Sequence, residues 1–131
     1  MRVHTLDGEL VEWKINGKEV SLDNRSRSTL HVAARKLLRE KYPTLQILEE
    51  TSILVNKGKT LFLDFYLPIL KLAIEVHGEQ HFKMSPVFHN TPQDFIKQKK
   101  NDSDKENWCE INNIVLKVLA FNNKDDWGKI L

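Results

Sequence analysis

The chain has no apolar run that approaches the roughly 20 residues a membrane-spanning helix needs, so no transmembrane helix is expected. Its first ten residues, MRVHTLDGEL, lack the apolar core of a secretory signal. It has one cysteine, Cys109, which rules out an internal disulfide and fits a reducing cytoplasm. A strong charge of either sign is missing too. The formal net charge is +2, so the overall balance does not announce a partner. The sequence shows no repeats, low-complexity tracts or interdomain linker. What is present is ordinary for a globular protein: 40% hydrophobic and 29% charged, in 131 residues that make one domain with a core.

The distribution of charge says more than its sum. Between Asn24 and Pro43 stand six cations, Arg25, Arg27, Arg35, Lys36, Arg39 and Lys41, against one anion, Glu40. A second group is Lys97, Lys99 and Lys100. Taken alone, each group reads as a solvated helix face. Beside a metal site, the same cations become phosphate contacts.

Periodicity divides the chain as follows. Residues 2–20 hold two hairpin signals, Asp7-Gly8 and Asn16-Gly17, and predict a small N-terminal β-meander within residues 1–22. Ser28 or Thr29 caps a helix that runs to Tyr42 and stops at Pro43, with an apolar stripe of Leu30, Ala33, Ala34, Leu37 and Leu38. Ile47 to Val55 reads as a strand, and Asn56 to Lys59 as the turn into a second strand. Residues 79–91 read as an irregular loop. Thr91 caps, and Pro92 starts, a second helix reaching Asn112. Ile114 to Phe121 is an apolar run of buried-strand type, and residues 125–131 add a short helical turn. Strand 71–77, helix 92–112 and strand 114–121 form a right-handed β–α–β unit. The expected fold class is α/β: a mixed β-sheet flanked by helices.

Chemistry concentrates between Leu61 and Phe82, LFLDFYLPILKLAIEVHGEQHF. Asp64 and Glu75 sit inside strongly apolar, strand-like sequence, where a bare carboxylate is costly. Alternation puts Phe62, Asp64 and Tyr66 on one face and Leu61, Leu63, Phe65 and Leu67 on the other. Lys71, Ala73, Glu75 and His77 share a face in the next strand. Folding the segment about Ile69–Leu70 sets Asp64 opposite Glu75, with Cβ atoms ~5 Å apart. That spacing suits two ligands of one divalent ion, and the Val76 carbonyl can add a third oxygen. The competing readings are a surface hairpin with two solvated acids, a structural pair of His77 and His81, and a zinc site of His77, His81 and His89.

These residues resemble the PD-(D/E)XK nuclease superfamily, the restriction-endonuclease-like fold, over roughly residues 28–122. Within it they look most like the very-short-patch-repair-like (Vsr-like) branch, with its repair enzymes, some homing endonucleases and many small phage and bacterial nucleases. Asp64, in LDFYLP, matches the family's central metal-binding aspartate. Glu75, in IEVHG, matches the second acid, and Val76 the residue that lends its carbonyl to the metal. His77-Gly78 matches the His-Gly pair of the repair branch, and His81 the histidine that follows it. Asp102, Lys105 and Trp108 resemble a charged-and-aromatic signature beyond the acids. The superfamily's lysine two residues after the second acid is replaced by His77. Lys83 or Lys105 can stand in for it. The first helix often supplies a glutamate, and His31 occupies that place, with Glu40 as a weaker candidate.

The resemblance implies a single nuclease domain over residues 1–131 that hydrolyses DNA phosphodiester bonds with Mg²⁺, or Mn²⁺ in its place. Asp64, Glu75 and Val76 would hold the metal. His77, His81 and Lys105 would assist, with His81 preferred as base or acid and His77 beside the metal or phosphate. Arg25, Arg27, Arg35, Lys83, Lys97 and Lys100 would contact DNA. The implied setting is the cytoplasm of a bacterial or phage-infected cell. A single site cuts one strand, so a double-strand break needs a homodimer or two binding events. A decayed, non-catalytic DNA-binding module is the alternative.

Overall fold

The computed structural model describes residues 1–20, 29–84 and 89–131. Strands β1 (Arg2–His4) and β2 (Leu10–Glu12) form an antiparallel hairpin. Strand β3 (Lys18–Glu19) does not complete a separate meander with them. It joins the main sheet as the antiparallel neighbour of β4 (Leu48–Asn56). Gly17 explains the switch. Its backbone lies so close to β4 that an added Cβ would fall 2.8 Å from the Glu49 carbonyl, and its φ is +131°. Only glycine tolerates both conditions.

Helix α1 (Thr29–Lys41) precedes β4, and β5 (Lys59–Leu67) follows it through the turn at Lys57-Gly58. A 3-10 turn over Pro68–Leu70 leads into β6 (Leu72–His77). Helix α2 (Pro92–Ile111) crosses over to β7 (Val115–Ala120), which runs parallel to β6. Helix α3 (Trp127–Ile130) ends the chain. Among the described residues the main sheet has the order β3-β4-β5-β6-β7. The architecture is thus a mixed sheet flanked by helices, with an N-terminal two-stranded element. No helix among the described residues is long and apolar enough to cross a membrane.

Two apolar clusters hold the layers together. One packs Ala34 and Leu38 of α1 with Phe65, Leu67, Leu72, Ile74 and Leu119. The other packs Trp108 and Cys109 of α2 with Val3, Trp13, Ile53, Leu63, Tyr66 and Ala73. Leu63 and Phe65 therefore belong to different clusters, against the simple alternation expected for β5. The cause lies at their shared neighbour. The β4–β5 ladder runs from Glu49↔Phe65 to Thr51↔Leu63 and skips the Glu50–Asp64 pair, and Glu50 has a φ of +54°. The register is the same on both sides of the gap, so no residue is inserted; the left-handed Glu50 interrupts the pairing where the alternation changes sides.

Helix α2 starts with a reciprocal cap. Thr91 accepts from the Asp94 N–H, and Asp94 accepts from the Thr91 N–H. Its fully buried residues, Asp104, Trp108 and Cys109, all lie in its C-terminal half. Gln98, Asn101, Asp102 and Lys105, from the middle of the helix, line a cleft.

Candidate metal and active-site cleft

The β5–β6 ladder ends at Phe65↔Ile74. One step further in the same register, Asp64 faces Glu75 as expected, but the backbones no longer pair there. The two carboxylates take over instead. Glu75 Oε2 accepts from the Asp64 N–H at 2.7 Å, and Asp64 Oδ2 accepts from the Val76 N–H at 2.8 Å. Each acid satisfies a donor that the splayed strands would otherwise leave bare. Asp64, Glu75 and Val76 are locked together by this exchange.

Lys105, on α2, donates to Glu75 Oε1 at 2.6 Å. Glu75 is 2% exposed. Burial pushes its carboxyl up to about 8, Asp64 adds to the rise, and Lys105 pulls it back. Burial acts to lower the Lys105 ammonium, but Glu75 outweighs it and holds the group above its ordinary value. So Lys105, rather than Lys83, stands beside the second acid. Lys83 is exposed and paired with Glu79.

Beside the acids lies a second cluster. His77, His81 and Asp102 each offer a ligand atom, all within 4.8 Å of one another, a set capable of holding a metal ion. The two imidazoles stack face to face, with centroids 4.0 Å apart and planes 5° apart. His81 Nδ1 donates to Asp102 Oδ2 at 2.9 Å, and His81 Nε2 accepts from Gln98 Nε2 at 3.3 Å. Those partners orient the ring, with Nδ1 toward Asp102 and Nε2 toward Gln98. Gln98 Oε1 in turn accepts from His89 Nε2 at 2.6 Å. His77 Nε2 is buried without a hydrogen-bond partner, 4.0 Å from Asp102 Oδ1. Burial pushes the His77 ring down to about 4, and His81 adds to the fall, while Asp102 opposes it. A buried, neutral imidazole nitrogen with no donor is what a metal ligand needs. For Asp102, burial raises the carboxyl, but the hydrogen bond from His81 and the charges of His81, His77 and Lys105 together leave it below its ordinary value.

The two clusters face one cleft. Asp64, His81, Gln98, Asn101, Asp102 and Lys105 line a space of about 320 Å³, with Thr60, Leu61 and Phe62 on its rim. A neighbouring space of about 420 Å³ is lined by His31, Glu50, Phe62 and Asp64. A third, of about 340 Å³, includes His89, Lys97 and Gln98.

The other sequence candidates fall as follows. Arg25 and Arg27 lie outside the described residues. Arg35 is 4% exposed and donates to the buried Glu49 at 2.8 Å. It is therefore placed in the core and not on a DNA-facing surface. The reason is Glu49, whose carboxylate points inward from β4 and draws cations to it. His31 is 3.1 Å from the same carboxylate and stacks on Phe65. It reaches the rim of the second space but belongs to this buried group. Lys97 and Lys100 are exposed, and Lys100 pairs with Asp104 at 3.0 Å. Trp108 is core, edge-on to Trp13. His89 does not join His77 and His81 in the metal-capable cluster, where Asp102 takes the third place.

Sequence reasoning missed Gln98 and its bridge to His89. The signal was there: Gln98, Asn101, Asp102 and Lys105 recur at helical spacing and form one polar face of α2. The Asp104 clamp was missed too. Asp104 accepts from Lys59 at 2.6 Å and pairs with Lys100 four residues back.

No family model matches the chain, and no solved structure matches it. The chain is similar to "Uncharacterized protein 307L" of Invertebrate iridescent virus 6, at 37% identity over 70 residues, 53% of this chain and 36% of that protein. It is similar to "Uncharacterized protein 094L" of Frog virus 3 (isolate Goorha), at 39% identity over 74 residues, 56% of this chain and 48% of that one. It is also similar to "Uncharacterized protein 033L" of Invertebrate iridescent virus 3, at 30% over 75 residues, 56% and 39% of the two chains. The matches span less than half the length of these relatives. The chain is thus related to viral proteins, with a fold whose histidine–aspartate cluster can hold a metal ion.

Proposed function

We propose that this chain is a metal-dependent endonuclease that hydrolyses DNA phosphodiester bonds, in the manner the PD-(D/E)XK resemblance implies. The observation that carries the reading is convergence. Asp64, Lys105, His81 and Asp102, drawn from β5, α2 and the turn after β6, line one cleft, with Glu75 directly behind them.

The residues fit a divalent ion. Asp64, Glu75 and the Val76 carbonyl make an all-oxygen set, which suits Mg²⁺ with Mn²⁺ as a substitute. Glu75 is a buried carboxyl held against a second acid by one lysine, so added positive charge stabilises its ionised form. His77, His81 and Asp102 offer a mixed nitrogen–oxygen set for a second divalent ion, and the orphaned His77 Nε2 supports that fit. A bound ion would supply Lewis acidity toward the phosphate and a more acidic water.

The chain's own groups do the rest. With no ion on the histidine cluster, His81, hydrogen-bonded to Asp102 and oriented by Gln98, takes a proton at Nε2 from the attacking water once Gln98 yields that position. Asp102 stabilises the imidazolium that results. Lys105 offsets negative charge at Glu75 and at the phosphate. It fills the role of the motif lysine that His77 displaced from its usual place. That removes the main motive for reading the chain as a decayed, non-catalytic module. Lys97, Lys99 and Lys100, exposed on the same helix, supply phosphate contacts for a bound DNA backbone.

The testing experiment is a cleavage panel of plasmid, duplex, branched and single-stranded DNA with Mg²⁺ or Mn²⁺. Product that appears only with metal supports the reading. Cleavage that persists in excess chelator, or no cleavage of any substrate, contradicts it.

A further inference from the structure

Phe62 is 55% exposed, on a strand where Phe65 and Tyr66 are fully buried. Its ring has no aromatic partner among the described residues. The other exposed phenyl groups have partners: Phe82 and Phe121 lie 5.6 Å apart, and Lys99 sits over Phe82. Phe62 also has a distinctive position. The 320 Å³ and 420 Å³ spaces share two residues, Phe62 and Asp64. The ring therefore borders both clefts together with the central carboxylate. Alternate residues of a strand lie about 6.6 Å apart, from a rise of ~3.3 Å per residue.

The surroundings select what could cover such a ring. Lys105 and the α2 lysines favour a phosphate beside Asp64. The planar, weakly polar group that travels with a phosphate is a nucleobase. A base inside a paired duplex already has both faces stacked, so covering the ring there means prying a base step apart, whereas an unpaired base offers a free face. We infer that Phe62 is a stacking platform for one unpaired nucleobase next to the scissile phosphate, and that the substrate is DNA carrying an unpaired nucleotide at the cleft. This inference rests on the nuclease reading for the position of the phosphate.

The test reads binding rather than cleavage. Wild-type protein in chelator is titrated with single-stranded oligonucleotides that carry 2-aminopurine at one position at a time, and with the matching full duplex. Wild type should bind the single strand more tightly than the duplex and should quench the probe. Phe62→Leu should lose the quench and bind the single strand roughly 5- to 150-fold more weakly, the range expected for one base–aromatic stack. Phe62→Trp should restore both. Phe62 is exposed, so matched thermal melts will show that each variant is folded. Unchanged quench and affinity in Phe62→Leu overturns the platform, as does tighter binding of wild type to the full duplex. Failure of wild type to bind the single strand overturns the platform, and the nuclease reading falls with it only if no cleavage appears in Mg²⁺ or Mn²⁺. Stacking without cleavage in Mg²⁺ or Mn²⁺ removes the nuclease reading and leaves the platform standing. Cleavage with no role for Phe62 does the reverse.

Discussion

Lys105 Nζ lies 2.6 Å from Glu75 Oε1, joining the middle of α2 to the end of β6 across thirty residues of chain. The lysine is both an electrostatic partner of the buried acid and a wall of the cleft. Lys105→Met separates these roles from metal binding. It removes a cation beside the acids, so divalent affinity, measured by calorimetry, should hold or rise. Cleavage should fall by at least ~100-fold, in the range of lost charge stabilisation at a reacting phosphate. The melting temperature should drop moderately, for a loss of roughly 1–3 kcal/mol, because Glu75 can take up a proton when its partner is gone. Cleavage at the wild-type rate would remove Lys105 from the mechanism.

The buried Glu49 group gives the opposite pattern. Arg35→Ala takes a hydrogen-bonded cation away from a carboxylate in the core. Breaking a buried ion pair costs about 3–5 kcal/mol, so thermal unfolding should occur at a clearly lower temperature. The salt dependence of DNA binding by the folded variant should not change. Lys97→Ala should leave stability alone and reduce the slope of log affinity against log salt by about 0.9, one phosphate contact. A reduced slope in Arg35→Ala would show that the arginine reaches DNA after all.

Asp104 is 1% exposed and joins the strand-start lysine Lys59 to Lys100 of α2. Burial acts to raise its carboxyl, but the hydrogen bonds from Lys59 and Lys100 outweigh it and hold it below its ordinary value. Asp104→Asn should therefore lower stability by about 1–3 kcal/mol, visible as a melting shift of several degrees. Cleavage per folded molecule should stay the same, since Asp104 does not line the cleft. Loss of cleavage with an unchanged melt would place this clamp in the mechanism instead.

Cys109 offers a probe of the second core. It is 1% exposed, and burial, with a contribution from Glu75, pushes its thiol up to about 12. At pH 8 the native thiol should resist alkylation, and the denatured chain should react at once. Rapid labelling of the native protein would mean that the packing of Trp108, Cys109 and Trp13 opens readily.

Much of this was legible in the sequence, and the reasons are local. Alternation and Pro68 define the β5–β6 register, so the residues alone set Asp64 opposite Glu75. Thr91-Pro92 marked the start of α2, and the apolar run after Asn113 marked β7. Three features were hidden because they depend on long-range geometry. Glu50 turns β4 through a positive φ, which no propensity predicts for glutamate. Arg35 reads as surface charge until Glu49 is known to point inward. His81 needs Asp102 and Gln98 from a helix that arrives only when α2 packs over the sheet.

The central claim is that Asp64 and Glu75 form a metal-dependent cutting site. It is tested most directly by incubating supercoiled plasmid with wild type and Asp64→Ala, each with Mg²⁺ and with excess chelator. The expected result is nicked or linear product from wild type with Mg²⁺, and none from the variant or in chelator. Equal product from both proteins, or product in chelator, would contradict it.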